Sequence, residues 1–365
     1  MIFVVFCIGN NVFVHPVRYA KVSIFVPGCF TRIRANGMLY FYAGICCPFQ
    51  EPAVRFGHMV NREPYGLDCA MKRRIFTGMA TALVTPMDGS GGIDYPALHG
   101  LLEFQIEHGA DALVVMGTTG EASTLTDKEK NELAAFVIRR VDGRLPVILG
   151  TGSNDTRKAA MLSREAELAG ADGILLVTPY YNKTSQEGLI RHFETIADQV
   201  RLPVILYNVP TRTGVNICPE TCRRLAKHPN ICGLKEASGN LSQVAQIAAL
   251  CGDSLDIYSG NDDQILPVLS LGGRGVISVL GNIMPKETAE LCRLFREGKV
   301  LESTALQLKL LPLMNAMFWD VNPIPVKAAL SLMGMCREDC RLPLVPLAPE
   351  RKGELKALME GYGLL

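Results

Sequence analysis

The sequence predicts an α/β protein, a (β/α)8 TIM barrel over residues 75 to 297 with a C-terminal helical region over 298 to 365. Three observations carry that expectation. From Ile75 onward, short β-branched apolar runs alternate with longer stretches of helical period, the pattern of repeated βα units. The runs number eight, the count that closes a parallel barrel. After Leu294 the strand pattern ceases, and Pro323, Pro325, Pro343 and Pro346 break the remaining chain into helices. A doubly wound open sheet is the alternative, but nothing in that architecture stops the count at eight.

The eight runs are Met79 to Thr85, Ala112 to Met116, Val147 to Leu149, Ile174 to Thr178, Val204 to Tyr207, Cys232 to Lys235, Leu255 to Tyr258 and Gly275 to Val279. Between them lie helix-like segments such as Tyr95 to His108, Asp127 to Val141, Asp155 to Ala169 and Ser185 to Gln199. Residues 1 to 70 differ from this pattern: they hold 12 of the 24 Phe and Tyr residues and 5 of the 12 Cys. Met1 to Phe13 is apolar but lacks the basic opening and small-residue cleavage site of a secretory signal, and no Ser- and Arg-rich transit helix appears. This atypical extension is expected to be disordered, or to be translated upstream of a true start at Met71.

Lys and Arg total 37 against 36 Asp and Glu, a net charge of +1, which offers no basic stripe for nucleic acid and no acidic tail. No run approaches the roughly 18 apolar residues of a membrane-spanning helix. The sequence is therefore expected to be a soluble, cytoplasmic protein. Its scattered cysteines fit a reducing compartment. Cys218 and Cys222, and Cys336 and Cys340, are four apart without a companion His or second pair, so they read as buried thiols and no metal is expected.

A barrel of this kind carries its active site at the carboxyl ends of its strands, and here those ends are polar. The second run leads into Gly117-Thr118-Thr119-Gly120-Glu121, the fourth into Pro179-Tyr180-Tyr181, and the fifth into Asn208-Val209-Pro210-Thr211-Arg212-Thr213-Gly214. The sixth carries Lys235-Glu236, and the seventh leads into Ser259-Gly260-Asn261-Asp262.

Lys235 interrupts an apolar strand, and strict alternation places Ile231, Gly233 and Lys235 on the barrel's inner face. Desolvation disfavours an inward ammonium and favours the free amine, the form an imine-forming nucleophile needs. The competing reading is a lysine ion-paired to Glu236 or Asp262 with no chemistry. Imine chemistry also moves protons. Tyr207, hydrogen-bonded to hydroxyls such as those of Thr118 and Tyr181, could shuttle them, whereas a single tyrosine there would read as core. The Gly117 to Gly120 turn offers backbone N–H groups and hydroxyls to an anion such as a carboxylate. Arg212 offers a bidentate grip on a second one, although a lone arginine there reads equally as surface.

Together these residues resemble the dihydrodipicolinate synthases, within the N-acetylneuraminate lyase superfamily of Schiff-base aldolases. The resemblance runs from about Phe76 to Leu365. It passes through Thr-Pro-Met (85 to 87), Gly-Thr-Thr-Gly-Glu (117 to 121), Thr-Pro-Tyr-Tyr-Asn (178 to 182), Tyr-Asn-Val-Pro-Thr-Arg-Thr-Gly (207 to 214), Gly-Leu-Lys-Glu-Ala (233 to 237), Gly-Val-Ile-Ser-Val (275 to 279) and Asn-Pro-Ile-Pro-Val-Lys (322 to 327). It implies a lyase that condenses pyruvate with L-aspartate 4-semialdehyde, the first committed step toward diaminopimelate and lysine, without a cofactor beyond the pyruvate imine on Lys235. Thr118, Tyr181 and Tyr207 match the family's proton relay, with the equivalent of Tyr181 coming from a neighbouring subunit. Thr119 matches the residue that binds the pyruvate carboxylate and Arg212 the one that binds the semialdehyde carboxylate; Gly260 and Ile277 match positions lining the imine. The resemblance also implies a tight dimer, usually doubled to a tetramer.

The regulatory positions depart from the family's lysine-inhibited members. Asn154 and Tyr180 match lysine contacts, but Asp127 and Lys130 replace histidines and Lys158 replaces a glutamate. A lysine there repels a cationic ligand, so weak or absent feedback inhibition is expected. Sugar-acid lyases of the superfamily typically lack the arginine matched by Arg212, which favours the synthase over them. A silent carboxylate sensor is the reading from another class, and a borohydride-trapped pyruvate adduct would separate it from an enzyme.

Overall fold

The computed structural model describes residues 72 to 365 and, within the first 71, four strands: β1 (Ile2–Ile8), β2 (Asn11–Val17), β3 (Phe30–Ala35) and β4 (Met38–Ala43). β1 pairs antiparallel with β2, and β3 with β4. The rest of that segment lies outside the described residues, as does the expectation that the extension is disordered or precedes the start. Chain contacts divide the protein into a unit over Met1–Leu67 and a unit over Asp68–Leu365.

The second unit is built on eight short strands: β5 (Gly78–Ala82), β6 (Ala112–Val115), β7 (Val147–Gly150), β8 (Gly173–Val177), β9 (Val204–Asn208), β10 (Ile231–Glu236), β11 (Asp256–Ser259) and β12 (Gly275–Ser278). Each is parallel to the next, and β12 returns to pair with β5, closing the barrel in sequence order. That closure rules out the open-sheet alternative. At the seam the strands approach so closely that a Cβ on Gly275 would lie 1.8 Å from the carbonyl oxygen of Gly78, so only glycine fits. The strands lie within three residues of the apolar runs in the sequence.

Helices return the chain between strands: α1 (Tyr95–Glu107), α2 (Asp127–Val141), α3 (Thr156–Ala169), α4 (Gln186–Ala197), the single turn α5 (Pro210–Thr213) with α6 (Pro219–Leu225), α7 (Leu241–Cys251), α8 (Ile265–Ser270) and, after β12, α9 (Pro285–Arg296). Their starts are written in side chains. Asp94, Asp155, Ser185 and Asn240 each accept a backbone N–H from the first turn, and Thr126 and Glu129 form a reciprocal capping box. Asp155 and Ser185, which the periodicity places inside helices, are the caps.

Three more helices complete the chain, α10 (Val300–Ala316), α11 (Ile324–Leu332) and α12 (Pro349–Gly361). The prolines act as punctuation only in part. Pro323 precedes α11 and Pro343 and Pro346 lie between α11 and α12, whereas Pro325 sits in the first turn of α11, where no N–H is needed.

Apolar side chains pack in two layers. The outer one joins strands to helices through residues such as Leu113, Leu149, Ile174, Leu206 and Leu234. The inner one fills the barrel with Phe76, Ala80, Val114, Ile148, Leu175, Ile205, Tyr258 and Ile277. Tyr258 stacks on Phe76 with ring centroids 4.3 Å apart and donates its hydroxyl to the Phe76 carbonyl at 2.8 Å. Phe76 precedes β5, so this pair plugs the amino end of the barrel and leaves the carboxyl end as the open one.

Candidate active site

Lys235 is the penultimate residue of β10, in register with Tyr207 on β9 and Tyr258 on β11. Its alternation is regular only from Gly233. Ile231 pairs with Val204 and Gly233 with Ile205, so two steps on β10 match one on β9. This bulge turns Ile231 into the outer layer and leaves Cys232 in the inner one, correcting the expectation that Ile231 faces inward. Lys235 and Gly233 do face the interior: the Lys235 ammonium lies 4.5 Å from the centre of the Tyr207 ring, and a Cβ on Gly233 would touch Tyr258 and Ile205.

Lys235 is only 5% exposed, and its amine has no hydrogen bond or ion pair among the described residues. Neither carboxylate that could have neutralised it is ion-paired to it: Glu236 is committed elsewhere, and Asp262 is held through one oxygen while its Oδ1 has no hydrogen-bond partner among the described residues. Glu236 accepts from Asn208 Nδ2 at 2.9 Å, from the Ser238 N–H at 2.7 Å and from Gln243 Nε2 at 3.2 Å, on the opposite face of β10. Asp262 accepts the N–H groups of Val279 and Leu280 at 3.0 and 2.9 Å. Burial raises the Asp262 carboxyl above its usual range, against the hydrogen bonds from Ser278, Leu280 and Val279 and the charge of Lys235.

The loop after β6 runs from Gly117 to Glu121 between two non-glycine residues of positive φ, Met116 at 57° and Glu121 at 52°. Thr85 Oγ1 fastens it by donating to the Gly120 carbonyl at 2.8 Å. Thr119 is buried, and its Oγ1 accepts from Asn322 Nδ2 at 3.0 Å. Arg212, on α5, is exposed and donates through Nη2 to the Asn322 carbonyl at 3.4 Å. Ile277 is fully buried on β12. Gly260 lies against the lysine: a Cβ there would sit 3.2 Å from Lys235 Cε and 2.6 Å from Ala237 Cβ.

Thr118, Tyr207 and Arg212 line one cleft of about 400 Å³ at the carboxyl end of the barrel. Tyr181 does not join them. It stands at φ 68° and 93% exposed on the loop after β8. Among the described residues no hydrogen bond links the hydroxyls of Thr118, Tyr181 and Tyr207, so the expected relay is not assembled within one chain. The cleft continues to Lys130, Lys158, Ser153 and Tyr180. Lys158 pairs with Asp127; the Lys130 ammonium has no such partner among the described residues, and burial lowers its proton affinity. Asn154 offers its carbonyl to Asn182 Nδ2 at 2.9 Å.

Two groups escaped the sequence reading. Asn322 bridges Thr119 and Arg212, and Lys327, fully buried on α11, pairs with Glu121 at the end of the β6 loop. A lone lysine in the apolar run of α11 was the available signal. Among the described residues no cluster of three or more His, Cys, Asp or Glu could hold a metal. Of the four cysteines expected to be buried thiols, only Cys222 is buried, and Cys218, Cys336 and Cys340 are partly exposed; desolvation still pushes the Cys336 thiol up to about 12 and the Cys340 thiol to about 11.

Residues 75–361 match the sequence model of the Dihydrodipicolinate synthetase family. The chain belongs to this family. The 4-hydroxy-tetrahydrodipicolinate synthase of Caldicellulosiruptor saccharolyticus is 54% identical over 290 residues, which span 80% of this chain and 98% of that relative. The crystal structure of dihydrodipicolinate synthase from Thermotoga maritima superposes with a TM-score of 0.79 at 43% identity, covering 80% of this chain and all of the other. That of the Acinetobacter baumannii enzyme complexed with pyruvate gives 0.78 at 42%, over 79% and 99%. Membership of the dihydrodipicolinate synthetase family makes the chain an enzyme of the lyase class on a (β/α)8 scaffold.

Proposed function

We propose that this chain condenses pyruvate with L-aspartate 4-semialdehyde to 4-hydroxy-tetrahydrodipicolinate, with Lys235 as the nucleophile and no cofactor. The observation that carries this reading is a lysine 5% exposed at the barrel's open end with no acid paired to it. A free amine in that place attacks the pyruvate ketone, and loss of water gives the imine. Loss of a methyl proton gives the enamine, whose carbon adds to the aldehyde. The semialdehyde's own amine then displaces Lys235 from the imine carbon, closing the ring and regenerating the lysine. The net reaction releases one water.

Each remaining group has a place in that sequence. Tyr207, 4.5 Å from the amine at its ring centre, moves protons with Thr118. Thr119 holds the pyruvate carboxylate and Arg212 that of the semialdehyde, while Gly260 and Ile277 leave room for the imine. Tyr181, exposed on its own chain, completes the relay of a partner subunit in a tight dimer, or in a tetramer made of two such dimers. Among the described residues no helix is long and apolar enough to cross a membrane, and a cytoplasmic location belongs to the same proposal.

Treatment of the full chain with pyruvate and borohydride, followed by intact mass and peptide mapping, tests it. The expected result is one reduced pyruvate adduct, on Lys235, together with turnover of aspartate semialdehyde. An adduct without turnover would transfer the reaction to another aldehyde acceptor, and no adduct would overturn the role of Lys235.

A further inference from the structure

The segment from Asn322 to Arg341 lies some 200 residues from the β6 loop in sequence, yet it touches that loop at two points. Glu121 closes the loop with positive φ, a conformation that a non-glycine residue keeps only when its surroundings impose it. One Glu121 oxygen is paired with Lys327, whose ammonium also donates to the Asp339 carbonyl at 2.8 Å; the other accepts the Arg341 N–H at 2.9 Å. Asn322, five residues before Lys327, donates to Thr119 Oγ1, and its carbonyl accepts from Arg212. One residue of the C-terminal region thus joins the two groups assigned to the two substrate carboxylates.

The direction of the bond to Thr119 matters. A threonine hydroxyl has one proton to give and two lone pairs to receive with. With the Asn322 amide donating into a lone pair, the hydroxyl proton is left to donate elsewhere, and an anion is the acceptor that gains most. A residue that accepted from Thr119 would instead consume the proton.

We propose that Asn322, anchored through the Lys327–Glu121 pair, is a positioning residue that fixes Thr119 as a donor toward the pyruvate carboxylate and ties it to Arg212. The proposal rests on the assignment of Thr119 and Arg212 above. It predicts that the polarity of residue 322, rather than its bulk, governs pyruvate binding.

Asn322→Asp and Asn322→Ala test it, with the KM for pyruvate and the pyruvate dependence of borohydride trapping measured from acid to alkaline pH as ratios to wild type at each pH. The Asp carboxylate has nearly the same shape, accepts from Thr119 and repels pyruvate. Its KM ratio is expected to rise roughly tenfold to a hundredfold at neutral pH and to fall toward one in acid, as the protonated carboxyl becomes a donor again. The Ala variant is expected to show a smaller ratio that does not change with pH. Equal ratios for the two variants at every pH, or a KM within twofold of wild type in the Asp variant, would overturn the proposal. So would a lower melting temperature with pyruvate binding untouched. If the Asp variant does not fold, an unchanged pyruvate KM in Asn322→Ala overturns the proposal and a raised one supports it. Absence of trapping in wild type would instead strike the assignment of Lys235.

Discussion

Adding one methyl group at Gly260 probes how tightly the fold holds the Lys235 chain. Gly260 is drawn onto β10 by its own N–H, which donates to the Glu236 carbonyl at 2.7 Å. An alanine Cβ there would lie 2.6 Å from Ala237 Cβ, 3.1 Å from the Glu236 carbonyl oxygen and 3.2 Å from Lys235 Cε. Carbon atoms rest about 3.5–4.0 Å apart, so the contact with Ala237 falls short by about 1 Å. Ala237 cannot withdraw, because its N–H is bonded to the Asn208 carbonyl at 2.9 Å. Either the β11 end lifts from β10 or the lysine chain is pushed aside. Overpacking of this kind costs about 1–3 kcal/mol, and a displacement near 1 Å at a reacting atom costs on the order of a hundredfold in rate. Gly260→Ala is therefore expected to unfold at lower temperature and to form the borohydride-trapped pyruvate adduct roughly a hundred times more slowly. Gly100→Ala, in α1 with open space around it, is the control and is expected to leave trapping unchanged. Trapping at the wild-type rate in Gly260→Ala would refute the claim that this glycine sets the lysine's position.

Three further outcomes come from the geometry. Burial lowers the His192 imidazole from 6.5 to about 4. The unfolded chain therefore binds the extra proton first as the pH falls, and stability present above pH 6.5 declines toward pH 4 by at most about 3 kcal/mol; denaturant titrations of His192→Gln should lack that part of the slope, and an unchanged slope would remove His192 as its source. L-lysine at sub-millimolar concentration is expected not to half-inhibit the enzyme, since Lys130 and Lys158 face the cleft where an ammonium would have to enter, and inhibition at that level would refute the reading. Finally, Tyr181→Phe and Lys235→Met dimers, each nearly inactive, should regain activity when subunits are exchanged. Half the dimers are then mixed and each carries one whole site, so recovery approaches about a quarter of wild type. No recovery under proven exchange would place Tyr181 outside the partner's site.

The fold was legible because each βα unit repeats one rule: a short β-branched run, then an amphipathic stretch opened by a capping side chain such as Thr126 or Ser185. What the rule missed was local. Strict alternation put Ile231 inside the barrel, and a bulge that depends on how β10 meets β9 put it outside. The three residue types proposed for the relay stood at strand ends in the sequence, but the structure shows no contact among them, because Tyr181 stands out in solvent on its own chain. The bond between Asn322 and Thr119 spans 203 positions, and no local pattern points to a partner so distant.

Two lysines make the limit concrete. Lys235 and Lys327 both interrupt apolar runs, and both are buried, at 5% and 0% exposure. By composition of their surroundings they are equivalent, and burial alone would mark either as a nucleophile. The carboxylate beside each separates them. Glu121, with its left-handed backbone, commits Lys327 to an ion pair that ties α11 to the β6 loop. Glu236, adjacent to Lys235 in sequence, is turned to the other face of β10 by strand geometry and satisfied there by Asn208, Ser238 and Gln243. The fold thus places a glutamate on the lysine that holds the loop and none on the lysine that lies over the Tyr207 ring. The role proposed for Lys235 depends on an acid that the chain places one residue away and points elsewhere.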